Sequence, residues 1–375
     1  MADHVPHSIC FVIPNFVTFS TGGAEIQVHY LSQAFLERGW RVEVVCAGVG
    51  HEKEIVESPF YNRQITYHYY QKKKIRSLEF FSVLKSLKKT SSRYYYQRTD
   101  FALTAATLWF CKFKKQKMIY ALASDSDAQR GKYLTLFKEY SYSSQYKKNI
   151  RKLDFLLLDK MIECAKRNSD YVICQSKQQV IDFKKNFNKT GEIISNSFVG
   201  EAKTEVQKEN VVLWVGNNNP VKRPWLFVQL AAMFAHIPDW RFVMIGSACE
   251  LIQEFDIPDN LDVVGALSYD ETNQWFLKSK VCVNTSIKEG LPNTFILSWW
   301  CKTLVMSLEV NPDGIFNNHK NGYCFDNDLK DLSIALNKVM DRSLDTESAI
   351  KNGEEHLKQH FNLDKNINKL LKIIS

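Results

Sequence analysis

Twice along this chain, short apolar runs alternate with stretches of helical period. The run "SICFVIPNF" closes on a Pro-Asn turn and reads as a parallel strand buried on both faces. The loop "STGGAE" follows. Then Ile26, Val28, Leu31, Ala34, Phe35 and Leu36 fall largely on one helical face, and Gly39 ends the helix. "RVEVVCAG" is the next strand, which completes a βαβ unit. Further on, "KMIYALASDSDA" reads as a strand running into an acidic loop. A basic helical region follows from Lys132 to Arg167, then the strand and helix of "SDYVICQSKQQVIDFKKNF" and a short strand in "EIISNSFV". A polar linker, "GEAKTEVQKEN", lies near 200–210, and the alternation then restarts. "VVLWVG", "WRFVMIGS", "NLDVVGAL", "KVCVNTS" and "TLVMSL" are strands. Between them lie a helix begun by Pro224, a Ser-capped helix in "SYDETNQWFLKS" and the loop-helix "KEGLPNTFILSWWCK". The pattern predicts an α/β protein of two doubly wound parallel sheets. Expected boundaries are 1–200, 201–360 and a terminal helix, 361–375, packing back on the first domain.

At 375 residues the chain exceeds what one core usually serves. No apolar stretch is long enough to span a bilayer, and no signal peptide is read at the N-terminus. The nine cysteines show no Cys-x-x-Cys spacing and lie mostly in apolar runs, as buried thiols of a reducing cytoplasm would. Charge is uneven. Residues 1–200 carry 31 Lys+Arg against 18 Asp+Glu, and residues 201–375 carry 18 against 23. A basic first half suits an anionic partner or a solvated surface alike. Within 71–118, Leu78, Phe81, Leu84 and Leu87 share a helical face among lysines. Phe80, Phe81, Trp109 and Phe110 then serve either an anionic membrane surface or the core. No nucleic-acid reading motif occurs.

Four loops can carry chemistry. Gly22 and Gly23 stand between a strand and a helix, where bare backbone N–H groups approach an anion or where tight geometry alone asks for glycine. Lys222 follows "LWVG" in the corresponding loop of the second half, as a phosphate counter-charge or a solvated lysine. Glu289 precedes Gly290, Leu291, Pro292, Asn293 and Thr294 where a strand gives way to a helix. The carboxylate there can accept from sugar hydroxyls, and the N–H groups can face a diphosphate. Asp125 and Asp127 form an Asp-x-Asp pair, open to a hydroxyl contact, a helix cap or a metal.

Taken in order, "TGGAE", "VLWVGNNNPVKRPWLFVQLA", "RFVMIGS", "LDVVGALSYDE" and "VCVNTSIKEGLPNTFILSWW" with the later "NPDG" and "NGYCF" resemble a retaining glycosyltransferase of family 4 type (glycosyl transferases group 1). The likeness runs over nearly the whole chain. It implies a GT-B fold, two Rossmann-like domains facing a central cleft, the first binding acceptor and the second a nucleotide-sugar donor. It implies pyrophosphate binding at Lys222, with Asn217 standing where the family has arginine. It implies an acid toward the donor sugar at Glu289, with Leu297 standing where a second acid holds the ribose. The family's N-domain histidine has no match, which leaves Asp125 and Asp127 as the polar candidates. Gly216, Gly246 and Leu267 fall among the implied donor-binding positions. The implied reaction moves a sugar to a glycan or lipid-linked glycan acceptor in cell-surface polysaccharide synthesis. It needs no metal and no cofactor. The alternative is a GT-B scaffold that binds sugar or nucleotide without turnover.

Overall fold

A computed structural model describes residues 7–19, 23–137, 145–200 and 206–374. Gly22, linker residues 201–205 and the 138–144 stretch of the basic helical region lie outside the described residues. The chain divides into two compact units, one of residues 1–197 with 363–375, the other of residues 198–362.

The first unit holds seven strands, β1 (Ser8–Val12), β2 (Arg41–Ala47), β3 (Thr66–Tyr70), β4 (Tyr94–Arg98), β5 (Lys117–Ala121), β6 (Tyr171–Cys174) and β7 (Glu192–Ile193). They form one sheet in the order β3-β2-β1-β4-β5-β6-β7, and every pairing is parallel. Its helices are α1 (Gly23–Glu37), α2 (Glu52–Val56), α3 (Glu79–Leu87), α4 (Ala102–Lys114), α5 (Lys132–Phe137), α6 (Gln145–Asn168) and α7 (Lys177–Phe187). Strand β1 shows why its sequence lacks alternation. Ile9 and Phe11 enter the core on one face of the sheet, while Cys10 and Val12 enter the core on the other.

Strand β4 was not expected from "SSRYYYQR", yet it lies between β1 and β5. Its tyrosines are buried and their hydroxyls find partners. Tyr95 meets Thr90 Oγ1 at 2.8 Å, and Tyr94 donates to the carbonyl of Ile374. The α3 face also differs from expectation. Val83, Leu84 and Leu87 face inward, whereas Leu78 and Phe81 are exposed. Phe110 of α4 is core, which removes it from any membrane-facing surface.

The second unit holds β8 (Glu209–Val215), β9 (Arg241–Ile245), β10 (Leu261–Gly265), β11 (Ser279–Asn284), β12 (Leu304–Ser307) and β13 (Tyr323–Cys324) in the order β10-β9-β8-β11-β12-β13, all parallel. Its helices are α8 (Pro224–Met233), α9 (Tyr269–Lys278), α10 (Asn293–Trp300), α11 (Ile315–His319), α12 (Leu329–Met340) and α13 (Thr346–His360). Ser268 and Glu271 form a reciprocal cap on α9. Lys208 is enclosed by the carbonyls of Phe276, Ser279 and Cys301 and the hydroxyl of Thr303.

The last helix, α14 (Leu363–Ile374), belongs to the first unit. Ile367, Leu370 and Ile374 complete the core around β1 and β2. Asn366 Nδ2 donates to Ser195 O at 3.1 Å, Arg38 pairs with Asp364, and α14 receives the Tyr94 bond. Among the described residues no helix is long and apolar enough to cross a membrane.

Candidate active site

In both sheets the strand order reverses beside the first strand, between β1 and β4 and between β8 and β11. Loops leaving the carboxyl ends of such neighbours diverge and open a crevice, which is where doubly wound sheets bind ligands. In the second unit those loops carry Lys222 and Glu289, and the structure brings the two together. Lys222 Nζ lies 2.7 Å from Glu289 Oε2. Asn284, the last residue of β11, donates from Nδ2 to Glu289 Oε1 at 3.0 Å, and its own Oδ1 accepts from Ser286 N at 3.0 Å. Burial alone would raise the Glu289 pKa. The Lys222 charge and bonds from Lys222, Ser286 and Asn284 overrule it and hold the carboxyl below its usual range. Glu289 is therefore an oriented anion with its counter-charge in contact. Both side chains keep about a fifth of their surface open, 17% for Glu289 and 20% for Lys222.

The neighbouring Arg223 does different work. It caps α8 in a left-handed conformation, φ +49°. Its guanidinium donates to Thr285 O at 2.6 Å, Asn327 Oδ1 at 2.7 Å and Glu309 Oε2 at 2.9 Å. Thr285 Oγ1 in turn donates to Lys222 O at 2.6 Å and accepts from Trp214 Nε1 at 2.9 Å, and Ile287 N donates to Val221 O at 3.0 Å. These bonds lock the β8–α8 loop to the β11–α10 loop and so fix the spacing of Lys222 and Glu289.

The floor of the crevice is backbone. Gly246 follows β9 with φ +114°, and a Cβ there would lie 2.0 Å from Gly216 O. Only glycine lets these two strand ends meet. Asn217 is exposed in the same loop. Gly290, Leu291 and Pro292 lead into α10, where Asn293 and Thr294 open the helix. Thr294 Oγ1 is buried without a hydrogen-bond partner. Leu297, 9% exposed, sits among Val211, Leu213, Ile245 and Cys282, with Leu267 packed at the margin. Its neighbours Phe295, Ile296 and Trp299 enter a second core toward α13. Buried on two sides, α10 runs apolar from Phe295 to Trp300 except at Ser298, whose hydroxyl donates to Thr294 O at 2.6 Å.

In the first unit Gly23 is the first residue of α1. Asp125 accepts from Gln179 Nε2 at 2.9 Å. Of the readings open to it, Asp127 takes the helix cap. It caps its own turn by accepting from the N–H groups of Ala123 and Ser124, and it pairs with Lys132. Beside it Lys166 Nζ lies 2.6 Å from Asp100 Oδ2, with both groups 1% exposed. Tyr120 donates to the same Asp100. Burial would raise Asp127, but Lys132 and Lys166 hold it at about 2, while burial keeps Asp100 above its usual range. The carboxylates of the cluster are enclosed, and only Lys132, 22% exposed, reaches the surface. Among the described residues no group of three or more His, Cys, Asp or Glu is arranged to hold a metal.

The β1/β4 crevice instead presents residues not singled out in the sequence. Glu25 is 5% exposed and burial pushes its carboxyl up, against an Asn15 hydrogen bond and the nearby Arg98 and Lys72. Arg98 reaches Asn196 Oδ1 at 2.7 Å, and its Nε is buried without a partner. Thr99 has φ +78°, an outlier for a β-branched residue, and its hydroxyl is likewise unpartnered. The glutamate of "GGAE" was the only visible signal.

Residues 199–356 match the family model described as glycosyl transferases group 1. That stretch is similar to the group 1 glycosyltransferases. Solved structures match its full length. Anabaena HepE in complex with UDP aligns at TM-score 0.68 and 13% identity, covering 98% of this chain and 99% of that one. Sucrose-phosphate synthase from Thermosynechococcus elongatus aligns at 0.71 and 16%, covering 98% of each. WaaG, a glycosyltransferase involved in lipopolysaccharide biosynthesis, aligns at 0.68 and 12%, covering 95% and 98%. At these identities the likeness establishes the fold, which is GT-B. Among curated proteins none matches the sequence.

Proposed function

We propose that this chain is a retaining, metal-independent glycosyltransferase. It moves a sugar from a nucleotide-sugar donor to a hydroxyl of a glycan or lipid-linked glycan, in the synthesis of cell-surface polysaccharide. The observation that carries this reading is the Lys222–Glu289 pair at the β8/β11 crevice of the stretch similar to the group 1 glycosyltransferases. The bond from the sugar's anomeric carbon to the diphosphate oxygen breaks, and the acceptor oxygen bonds to that carbon. The acceptor proton passes to the leaving diphosphate. Lys222 and the N–H groups opening α10 offset the charge that develops there. Glu289, oriented by Asn284, accepts from sugar hydroxyls. Asn217 and Leu297 replace one cation and one anion of the family pattern, so the net charge of the site is unchanged by the pair of departures.

The acceptor is assigned to the first unit, where Glu25 and Arg98 take the place first given to Asp125 and Asp127. Helices α3, α4 and α6 pack together and expose Phe81, Trp109, Phe113, Leu153 and Leu157 among lysines. Phe113 and Leu153 are each 68% exposed. This surface suits peripheral contact with an anionic bilayer on the cytoplasmic side. Pelleting with anionic vesicles at low salt is expected, and its absence removes the membrane from the reading.

A non-catalytic binding scaffold is favoured by one observation, the burial of Leu297 where the resemblance implies a ribose acceptor. Purified protein offered a panel of nucleotide sugars decides between the two. Release of nucleotide from one donor supports the transferase, and binding without release in every case overturns it.

A further inference from the structure

Strand β4 ends at the strand-order reversal of the first unit, and three consecutive residues there carry buried polar atoms without a hydrogen-bond partner. The atoms are Gln97 Oε1, Arg98 Nε and Thr99 Oγ1. Arg98 is 5% exposed. Its Nη2 donates to Asn196 Oδ1 at 2.7 Å, and the Tyr96 hydroxyl is a second neutral partner. Among the described residues no carboxylate pairs with it. A buried charge is costly unless an opposite charge meets it, and a guanidinium presents its donors in a fork that fits an oxyanion. The turn that follows is held from two sides. Thr99 sits at φ +78°, and its carbonyl accepts from Gln97 Nε2 at 2.6 Å and from Thr104 Oγ1 at 3.0 Å. Strain of this kind persists only where the surroundings impose it, and it concentrates at ligand sites. Further charge comes from the loop between β3 and α3. Lys72 donates to Asn15 Oδ1, and Asn15 Nδ2 donates to Glu25 Oε1 at 3.4 Å. Burial pushes the Glu25 carboxyl up, and Arg98 and Lys72 are cations near enough to oppose it. Two cations therefore share this crevice with one buried carboxyl, and Lys73 and Lys74 stand exposed beside Lys72.

We propose, on the footing of the transferase reading, that Arg98, Thr99 and Lys72 recognise an oxyanion carried by the acceptor, either a carboxylate or a phosphate ester. Arg98 supplies Nε–H and a fixed charge, and the Thr99 hydroxyl supplies a second donor. Lys72, at the exposed rim, attracts the anion through the solvent. Glu25 works against it. A neutral sugar leaves the guanidinium charge unmet, so anionic acceptors are selected over neutral ones.

Saturation-transfer NMR on the full-length protein, with glucuronate, glycerol phosphate and glucose as probes, tests this. Glucuronate or glycerol phosphate should bind and glucose should not, and the preferred anion identifies the source of the charge. Arg98→Gln should weaken that binding by about tenfold or more, as loss of a charged hydrogen bond does. Because Arg98 is buried, two milder variants accompany it, each checked for fold by circular dichroism. Lys72→Gln, at an exposed position, should weaken binding, and more so at low salt. Glu25→Gln removes the opposing charge at nearly constant shape and should tighten binding, which a merely structural role would not do. Four results would each overturn the assignment: no anion binding, glucose binding equally well, binding indifferent to Arg98→Gln and Lys72→Gln, or binding abolished by Lys222→Met, which would put the anion in the second unit. Nucleotide release from a donor panel, measured on the same preparation, separates the two readings. Release without anion binding sinks this inference alone, and anion binding without release sinks the transferase.

Discussion

Each unit of this protein contains a lysine–carboxylate pair of almost the same length, 2.6 Å for Lys166–Asp100 and 2.7 Å for Lys222–Glu289. Their surroundings differ. The first pair is 1% exposed and shares with Asp127 and Tyr120 a cluster that reaches the surface only through Lys132. The second keeps about a fifth of its surface open at a strand-order reversal, and the loops that carry it are tied down by Arg223 and Thr285. A closed pair can only hold structure. A pair that is charged, rigid and open can exchange one partner for a ligand.

The widest separation between the two comes from removing one member of each. Lys166→Met leaves buried Asp100 with only the more distant Lys132, 3.8 Å away, and should cost up to about 3–5 kcal/mol in urea unfolding. Lys222→Met should cost much less stability because Glu289 remains partly hydrated. A loss as large as that of Lys166→Met would place both pairs in the same structural class. Turnover should move the other way. Lys222→Met is expected to lower the rate by about 10²–10³-fold at unchanged fold, as loss of one charge-stabilising group does. Near-normal turnover would remove Lys222 from the chemistry. The smallest effect is pH dependence. Asp127 titrates near 2 in the folded chain and near 4 unfolded, so it contributes about 2 kcal/mol above pH 4 that is lost as pH falls toward 2. Asp127→Asn should flatten the acid limb of stability between pH 4 and 2, and an unchanged limb would mean that Lys132 and Lys166 do not hold Asp127 ionised.

Much of the fold was readable because buried parallel strands announce themselves as unbroken apolar runs. β1, β8 and β9 do so over four residues or more, while β2 is interrupted by Glu43 and β11 keeps only Val281, Cys282 and Val283. β4 does not, because three tyrosines followed by Gln97 and Arg98 look like a surface, and only distant partners such as Ile374 make them core. Lys222 and Glu289 were each legible as loop residues after strands, but their contact spans 67 positions and is made by the register of β8 against β11. Asp127 was open to several readings for the reverse reason. An Asp-x-Asp spacing describes chemistry only if the side chains face a ligand, and here one faces its own backbone. Thr99 left no trace in the sequence, since its unusual φ is imposed by packing rather than by residue type.

The grouping of α14 with the first unit has a consequence for how the chain is made. Residues 198–362 are contiguous and can settle as soon as they are synthesised. The first unit cannot, because Ile367, Leu370 and Ile374 fill its core. The unit made earlier is therefore finished later, and it waits with an open apolar face until α14 has been made.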